Sequence, residues 1–241
     1  MFKRFSGRAK KFWAGIALLS VEMIAVTGLF LIALVAFIIV VRRIFVLKQT
    51  DFDLAVFAFL DQHVSEPLND IMMFFTFLGT HKFLIPANLA LVAYFLFIRK
   101  RKWYSIKIPA ISASSVALMF ILKHFFNRPR PDVPLLYEAK GLSFPSGHAL
   151  MSVTFYGLLI YIAYQSEERP WLKWTLIVLL SLLILVVGFT RIYLRVHYTT
   201  DVIAGFSIGI LWLVFSLWML RRLEKRSLRK LNPVVAEPPQ A

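Results

Sequence analysis

Nineteen consecutive residues, Met23–Val41, carry no charged side chain, and this run limits the possible folds more than any other feature of the chain. As a helix it would be about 28 Å long, close to the ~30 Å hydrocarbon core of a bilayer. Five further apolar segments follow: Phe83–Ile98, Ile108–Leu122, Ala149–Tyr164, Trp174–Thr190 and Val202–Leu220. Some are short for a full span when charges are left out, but polar flanks such as Ser146-Gly147-His148 can continue the same helix. Backbone groups in lipid must be satisfied within their own segment, which selects helices. The expected fold is an all-α integral membrane protein, a six-transmembrane-helix bundle. Composition agrees. The chain is 59% hydrophobic and 17% charged, with a mean hydropathy of +0.70, against roughly 45–50% apolar in soluble domains. It has no cysteine, which excludes disulfides and cysteine metal sites.

The net charge of +15 fits either nucleic acid or loops facing anionic lipid, and its distribution favours lipid. Lys3, Arg4, Arg8, Lys10 and Lys11 precede the first span, and the apolar run after them reads as an uncleaved anchor. With the N-terminus inside, the inner segments also hold Arg99, Lys100, Arg101, Lys102 and Lys107, then Arg169 and Lys173. The tail adds Arg221, Arg222, Lys225, Arg226, Arg229 and Lys230. That places 18 of the 28 basic residues inside, as the positive-inside rule requires. The expectation is a multi-pass protein of the plasma membrane (the inner membrane of a bacterium), with both termini cytoplasmic and no nucleic-acid partner. Within 51–80, Phe52–Leu60 and Ile71–Leu78 read as external interfacial helices broken near Pro67, with a hairpin dipping into the membrane as the alternative for the second. One domain is expected over 1–231, followed by a disordered tail, Asn232–Ala241, rich in proline.

Three polar clusters interrupt the apolar pattern: Lys123-His124-Phe125-Phe126-Asn127-Arg128-Pro129-Arg130-Pro131; Phe144-Pro145-Ser146-Gly147-His148; and Thr190-Arg191 with His197 and Asp201. Each lies at a span boundary, and the topology brings all of them to the external face. Lys123, Arg130 and Arg191 are cations where few are expected, and arginine binds phosphate oxygens in a bidentate manner. The N–H groups of Ser146, Gly147 and His148 open a helix, which is an anion-binding position. His197 and Asp201 are four apart and would share a helix face, with the carboxylate fixing the ring tautomer and leaving the other nitrogen nucleophilic. His148 could then protonate a leaving alkoxide.

Each cluster also has a plainer explanation. Pro145-Ser146 could be only a helix N-cap, His197/Asp201 only a pair at a helix start, and the cations only snorkelling side chains. A metal held by His148, His197 and Asp201 fits poorly with three cations beside it, so no metal or other cofactor is expected.

Taken together, the clusters resemble the signature of the type 2 phosphatidic acid phosphatase superfamily. Lys123, six residues, then Arg130-Pro131 matches its first part. Pro145-Ser146-Gly147-His148 matches its second, and Arg191, five residues, His197, three residues, Asp201 matches its third. Thr190 stands where the family usually has serine. The resemblance implies a phosphohistidine on His197 oriented by Asp201, and His148 as the acid. It implies Lys123, Arg130, Ser146, Gly147 and Arg191 as phosphate ligands. His124, Arg128 and Asp132 match no motif position, and Arg128 is a candidate substrate contact. The expected substrate is a lipid phosphate or pyrophosphate: phosphatidylglycerol phosphate, phosphatidic acid, a polyprenyl pyrophosphate or lipid A phosphate. The alternatives are a lipid phosphotransferase using the same intermediate, a non-catalytic phospholipid-binding protein, and a haloperoxidase, which the six spans disfavour.

Overall fold

The computed structural model describes residues 21–166 and 169–236, with side chains described for 22–166 and 169–228. Its described secondary structure is helical throughout. Helix α1 (Val21–Val41) continues through a π turn, Arg42–Val46. Two short helices follow, α2 (Asp51–Asp61) and α3 (Glu66–Leu78). Helix α4 (His81–Ala93) ends in a second π turn, Tyr94–Ile98. Then come α5 (Lys102–Phe126), α6 (Gly147–Tyr164), α7 (Pro170–Tyr193) and α8 (Thr199–Ala236). Six of these are long and apolar enough to cross a membrane: α1, α4, α5, α6, α7 and α8.

The helices run further than the charge-free segments because polar residues at their ends find partners. Helix α5 starts at Lys102 rather than Ile108. Lys107, which the sequence places in an inner turn, lies buried within α5 and bonds Glu224 of α8 at 2.6 Å. The expected break near Pro67 falls instead at Gln62–Ser65, and Pro67 sits in the first turn of α3. There the missing N–H of proline is no loss. At the other end, helix α8 continues through Ala236 and so overlaps the tail expected to be disordered. Its run of Leu, Arg, Glu and Lys consists of good helix formers. The basic N-terminal residues and residues 237–241 lie outside the described residues.

Helix α6 is the most enclosed of the six spans and packs against α5, α7 and α8, while α1 lies along α8. Close approach of α6 and α8 depends on Gly205 and Gly209, a small-xxx-small pair of the kind that lets membrane helices pack backbone to backbone. A Cβ at Gly205 would lie 2.7 Å from the Ser146 carbonyl oxygen, and one at Gly209 would lie 2.7 Å from Val153 Cβ. This contact fixes the start of α6 against the start of α8. On the other flank, Phe45, Phe126 and Phe144 form a three-ring cluster, with centroids 4.8 Å apart for the tilted pair Phe45–Phe126 and for the edge-to-face pair Phe126–Phe144, and 5.2 Å for Phe45–Phe144. They tie α1 to the end of α5 and to the loop before α6. The end of α5, the start of α6, the end of α7 and the start of α8 are thus gathered at one end of the bundle.

Candidate active site

Helix α5 ends at Asn127, whose left-handed backbone (φ 47°) turns the chain away from the helix. Lys123 lies one turn before that end and donates to the Leu142 carbonyl. Arg130 is held by three backbone carbonyls: Nη1 donates to Val196 at 2.6 Å, Nε to Gly141 at 2.9 Å and Nη2 to Lys140 at 3.2 Å. Its Nη1 also lies 3.2 Å from His197 Nε2. These anchors leave a cation fixed beside one nitrogen of the imidazole.

Ser146 caps α6, its hydroxyl accepting from the Ala149 N–H at 3.5 Å. Its own N–H donates to the Asp201 carbonyl at 3.0 Å. That corrects one expectation, because the Ser146 N–H is committed to the start of α8 and is not free for an anion. His148, in the first turn of α6, is within electrostatic range of Arg191, His197, Arg130 and Lys123. Its Nε2 is buried and has no hydrogen-bond partner among the described residues. Arg191, in the last turn of α7, donates from Nη1 to Thr76 Oγ1 at 2.5 Å and to the Tyr137 hydroxyl at 2.8 Å. Its Nε is likewise buried without a partner. Thr190 turns its hydroxyl back onto the Val187 carbonyl at 2.7 Å, so it secures its own helix.

His197 does not lie on a helix. It sits in the turn between α7 and α8, two residues before α8 begins, so the expected helical i, i+4 pairing with Asp201 is not what joins them. Nδ1 of His197 is 3.6 Å from Asp201 Oδ2, too far for a hydrogen bond. Ser143 Oγ stands between them, donating to Asp201 Oδ2 at 2.5 Å and lying 3.3 Å from His197 Nδ1. The Ser143 proton is used on the carboxylate, so its oxygen accepts from Nδ1–H, and the lone pair of the ring is on Nε2, facing Arg130 Nη1. Asp201 Oδ2 also accepts from the Tyr198 N–H at 2.9 Å, the reach-back half of a capping box at the start of α8. Burial holds the His197 imidazole well below its usual pKa, and the nearby charges of Arg130, Arg191 and Lys123 lower it further. The ring is therefore neutral at neutral pH.

Arg128 differs most from its expectation. Rather than facing a substrate, it is 6% exposed and bonds two carboxylates, Asp201 Oδ1 at 2.6 Å and Asp53 Oδ2 at 2.9 Å, with Thr200 Oγ1 at 2.8 Å. Its guanidinium also lies 4.0 Å from the Tyr198 ring centroid. Sequence reasoning missed Ser143, Thr76, Tyr137, Thr200 and Asp53. Ser143 adjoins the second cluster and could have been found by its position, but nothing in the sequence ties residues 53, 76 or 137 to this site.

The structure thus brings Lys123, Arg130, Ser146, Gly147, His148, Arg191, His197 and Asp201 to one end of the bundle. Among the described residues there is no group of three or more His, Cys, Asp or Glu able to hold a metal ion. The family model described as the PAP2 superfamily matches residues 104–225, which include all eight. The chain belongs to the PAP2 superfamily. It is a PAP2 lipid phosphatase and a multi-pass membrane protein. It is 33% identical over 147 residues to phosphatidylglycerophosphatase B of Bacillus subtilis, covering 60% of this chain and 71% of that protein. It is also 28% identical over 176 residues to the undecaprenyl-diphosphatase of Sulfolobus acidocaldarius, covering 70% of this chain and 78% of that one. Among solved structures it resembles the transmembrane PAP2 type phosphatidylglycerolphosphate phosphatase from Bacillus subtilis. That match has a TM-score of 0.70 and 27% identity, covering 83% of this chain and 96% of that chain. The PAP2 fold here is therefore shared across nearly the whole of that relative, including the region before residue 104.

Proposed function

We propose that this PAP2 phosphatase hydrolyses a lipid phosphate monoester or pyrophosphate at the external membrane face, through a phosphohistidine on His197 and without a metal. The observation that carries the proposal is the state of His197. Its Nδ1–H is turned to Ser143, so Nε2 carries the lone pair, and that lone pair accepts from Arg130 Nη1 at 3.2 Å, a donor that passes to the phosphate when substrate enters between them. In the first step Nε2 attacks phosphorus and the bond to the lipid oxygen breaks. His148 gives that oxygen its proton, so the lipid leaves as an alcohol, or as a lipid monophosphate when the substrate is a pyrophosphate. In the second step His148 takes a proton from water, which attacks the phosphohistidine. The P–N bond then breaks and its electron pair returns to Nε2. Asp201, acting through Ser143, supports the positive charge that develops on the ring. Lys123, Arg130, Arg191, the Ser146 hydroxyl and the N–H groups of Gly147 and His148 stabilise the equatorial oxygens.

Three fixed cations and a helix N-terminus supply the charge stabilisation that a metal gives elsewhere, so phosphate release should persist in EDTA. The test is phosphate release by the purified protein over phosphatidylglycerol phosphate, phosphatidic acid, a polyprenyl pyrophosphate and lipid A phosphate, with and without EDTA. Loss of activity in EDTA that added magnesium or zinc restores would overturn the metal-free reading. The substrate that yields phosphate fastest would identify the class within this panel.

Sidedness has its own expected outcome. Val133 is 66% exposed in the loop between α5 and α6, the loop that carries Arg130 and Ser143. In a chain without cysteine, Val133→Cys should react with a membrane-impermeant thiol reagent on intact cells. Labelling only after lysis would put the site inside and the excess positive charge outside, against the positive-inside rule.

A further inference from the structure

Helix α2 lies outside the matched family region, yet it touches the segment that bears His197 along most of its length. Asp53, Phe57 and Asp61 recur every four residues and so share one face. Asp61 forms an ion pair with Arg195. The Phe57 ring stacks on Tyr198, with centroids 5.8 Å apart. Asp53 Oδ1 accepts from the Thr200 N–H at 2.9 Å, and its Oδ2 accepts from Thr200 Oγ1 at 2.6 Å and from Arg128 Nη2 at 2.9 Å. Val56 and Leu60, on the same side, pack with Ile192 and Val202. These contacts bracket His197 on both sides in the chain, at 195 and at 198 and 200.

The connection from Asp53 to the imidazole is continuous. Arg128 extends one arm to Asp53 and the other to Asp201 Oδ1, and a planar guanidinium fixes the relative placement of two carboxylates. With Oδ1 held in this way, Oδ2 is the oxygen presented to Ser143 and, through it, to His197 Nδ1. Charge adds to the geometry. Two carboxylates flank one guanidinium, so Asp201 keeps net negative character next to the ring. If Asp53 were neutral, the whole Arg128 charge would fall on Asp201 and weaken its support of the ring in the transition state.

We propose that Asp53 is a positioning residue for the nucleophile. It acts through Arg128 and Thr200 on Asp201, and helix α2 is the brace that holds the His197 turn. The proposal rests on the reading of His197 as nucleophile.

The test uses purified full-length protein with a short-chain lipid phosphate in detergent, and inorganic phosphate as a competitive inhibitor. Asp53→Asn keeps the size of the side chain and an acceptor for Thr200. Its kcat should fall about 10- to 100-fold, while KM and the inhibition constant of phosphate move by less than about threefold, since only the orientation of the attacking group is lost. Asp53→Leu removes every acceptor that Asp53 offers to Arg128 and Thr200 but leaves Arg128 paired with Asp201, so it should be at least as slow as Asp53→Asn. Wild-type kcat in Asp53→Leu would mean that the His197 turn is positioned without Asp53, and would overturn the proposal. So would wild-type kcat in Asp53→Asn, or a loss matched by equally weaker phosphate inhibition. His197→Ala is run alongside as the control. If it were fully active, the nucleophile assignment itself would fail, whereas an inactive control with an unaffected Asp53→Asn would refute the positioning role alone.

Discussion

His197→Ala should lower kcat by about 10⁴-fold or more, the scale seen when a nucleophile is removed from an otherwise intact site. No neighbouring group can take its place. The Ser143 hydroxyl donates its hydrogen bond to Asp201 and has no base to deprotonate it, Asp201 is held by Arg128, Ser143 and the Tyr198 N–H, and the nearby cations cannot attack phosphorus. The fold should survive, because the side chain makes few bonds of its own and the turn is secured by Tyr193, Leu194 and Val196 in the core. Phosphate release and the melting temperature of the purified variant check both statements. Turnover near wild type would remove His197 from the mechanism.

His148→Ala should have the second largest effect, with a dependence on the leaving group that identifies its role. Loss of a general acid costs roughly 10²–10⁴-fold when the departing oxygen is a poor leaving group. An alkyl lipid phosphate has such an oxygen and should show the full loss. An aryl phosphate departs as a stabilised phenolate and needs little proton donation, so the same variant should retain most of its rate on that substrate. The measurement is the ratio of variant to wild-type kcat on the two substrates. An equal loss on both would assign His148 to holding the phosphate rather than to proton transfer. Its buried Nε2, without a partner among the described residues, is consistent with a group that exchanges a proton with a bound substrate.

The spans were legible because membrane helices declare themselves by composition alone. The long charge-free run of α1 needs no tertiary information to interpret. The side chains of the candidate site were conspicuous for a different reason. Lysine, arginine, histidine and aspartate at span ends are conspicuous against an apolar chain, and their spacing carries the family signature. What could not be read were the groups that hold them. Asp53 looks like an ordinary acidic residue in the first turn of an amphipathic helix, and only folding puts it against Arg128, 75 residues away. Arg128 itself was read as a substrate contact because a cation between two motif cations invites that reading, whereas two buried carboxylates claim it. The His197–Asp201 spacing suggested a shared helix face, but α8 begins only at Thr199, and Ser143 supplies the link that spacing alone could not show. The packing of α6 on α8 was written in Gly205 and Gly209, a signal that the polar motifs on either side overshadowed.

The central claim is a double displacement at phosphorus, and its stereochemical course tests it most directly. An isotopically chiral phosphorothioate monoester of a short-chain lipid, hydrolysed in isotopically labelled water, yields chiral thiophosphate. Attack by His197 followed by attack of water inverts the configuration twice, so the account predicts net retention whether or not the intermediate accumulates. Net inversion would mean that water attacks the lipid phosphate directly, and would contradict the phosphohistidine.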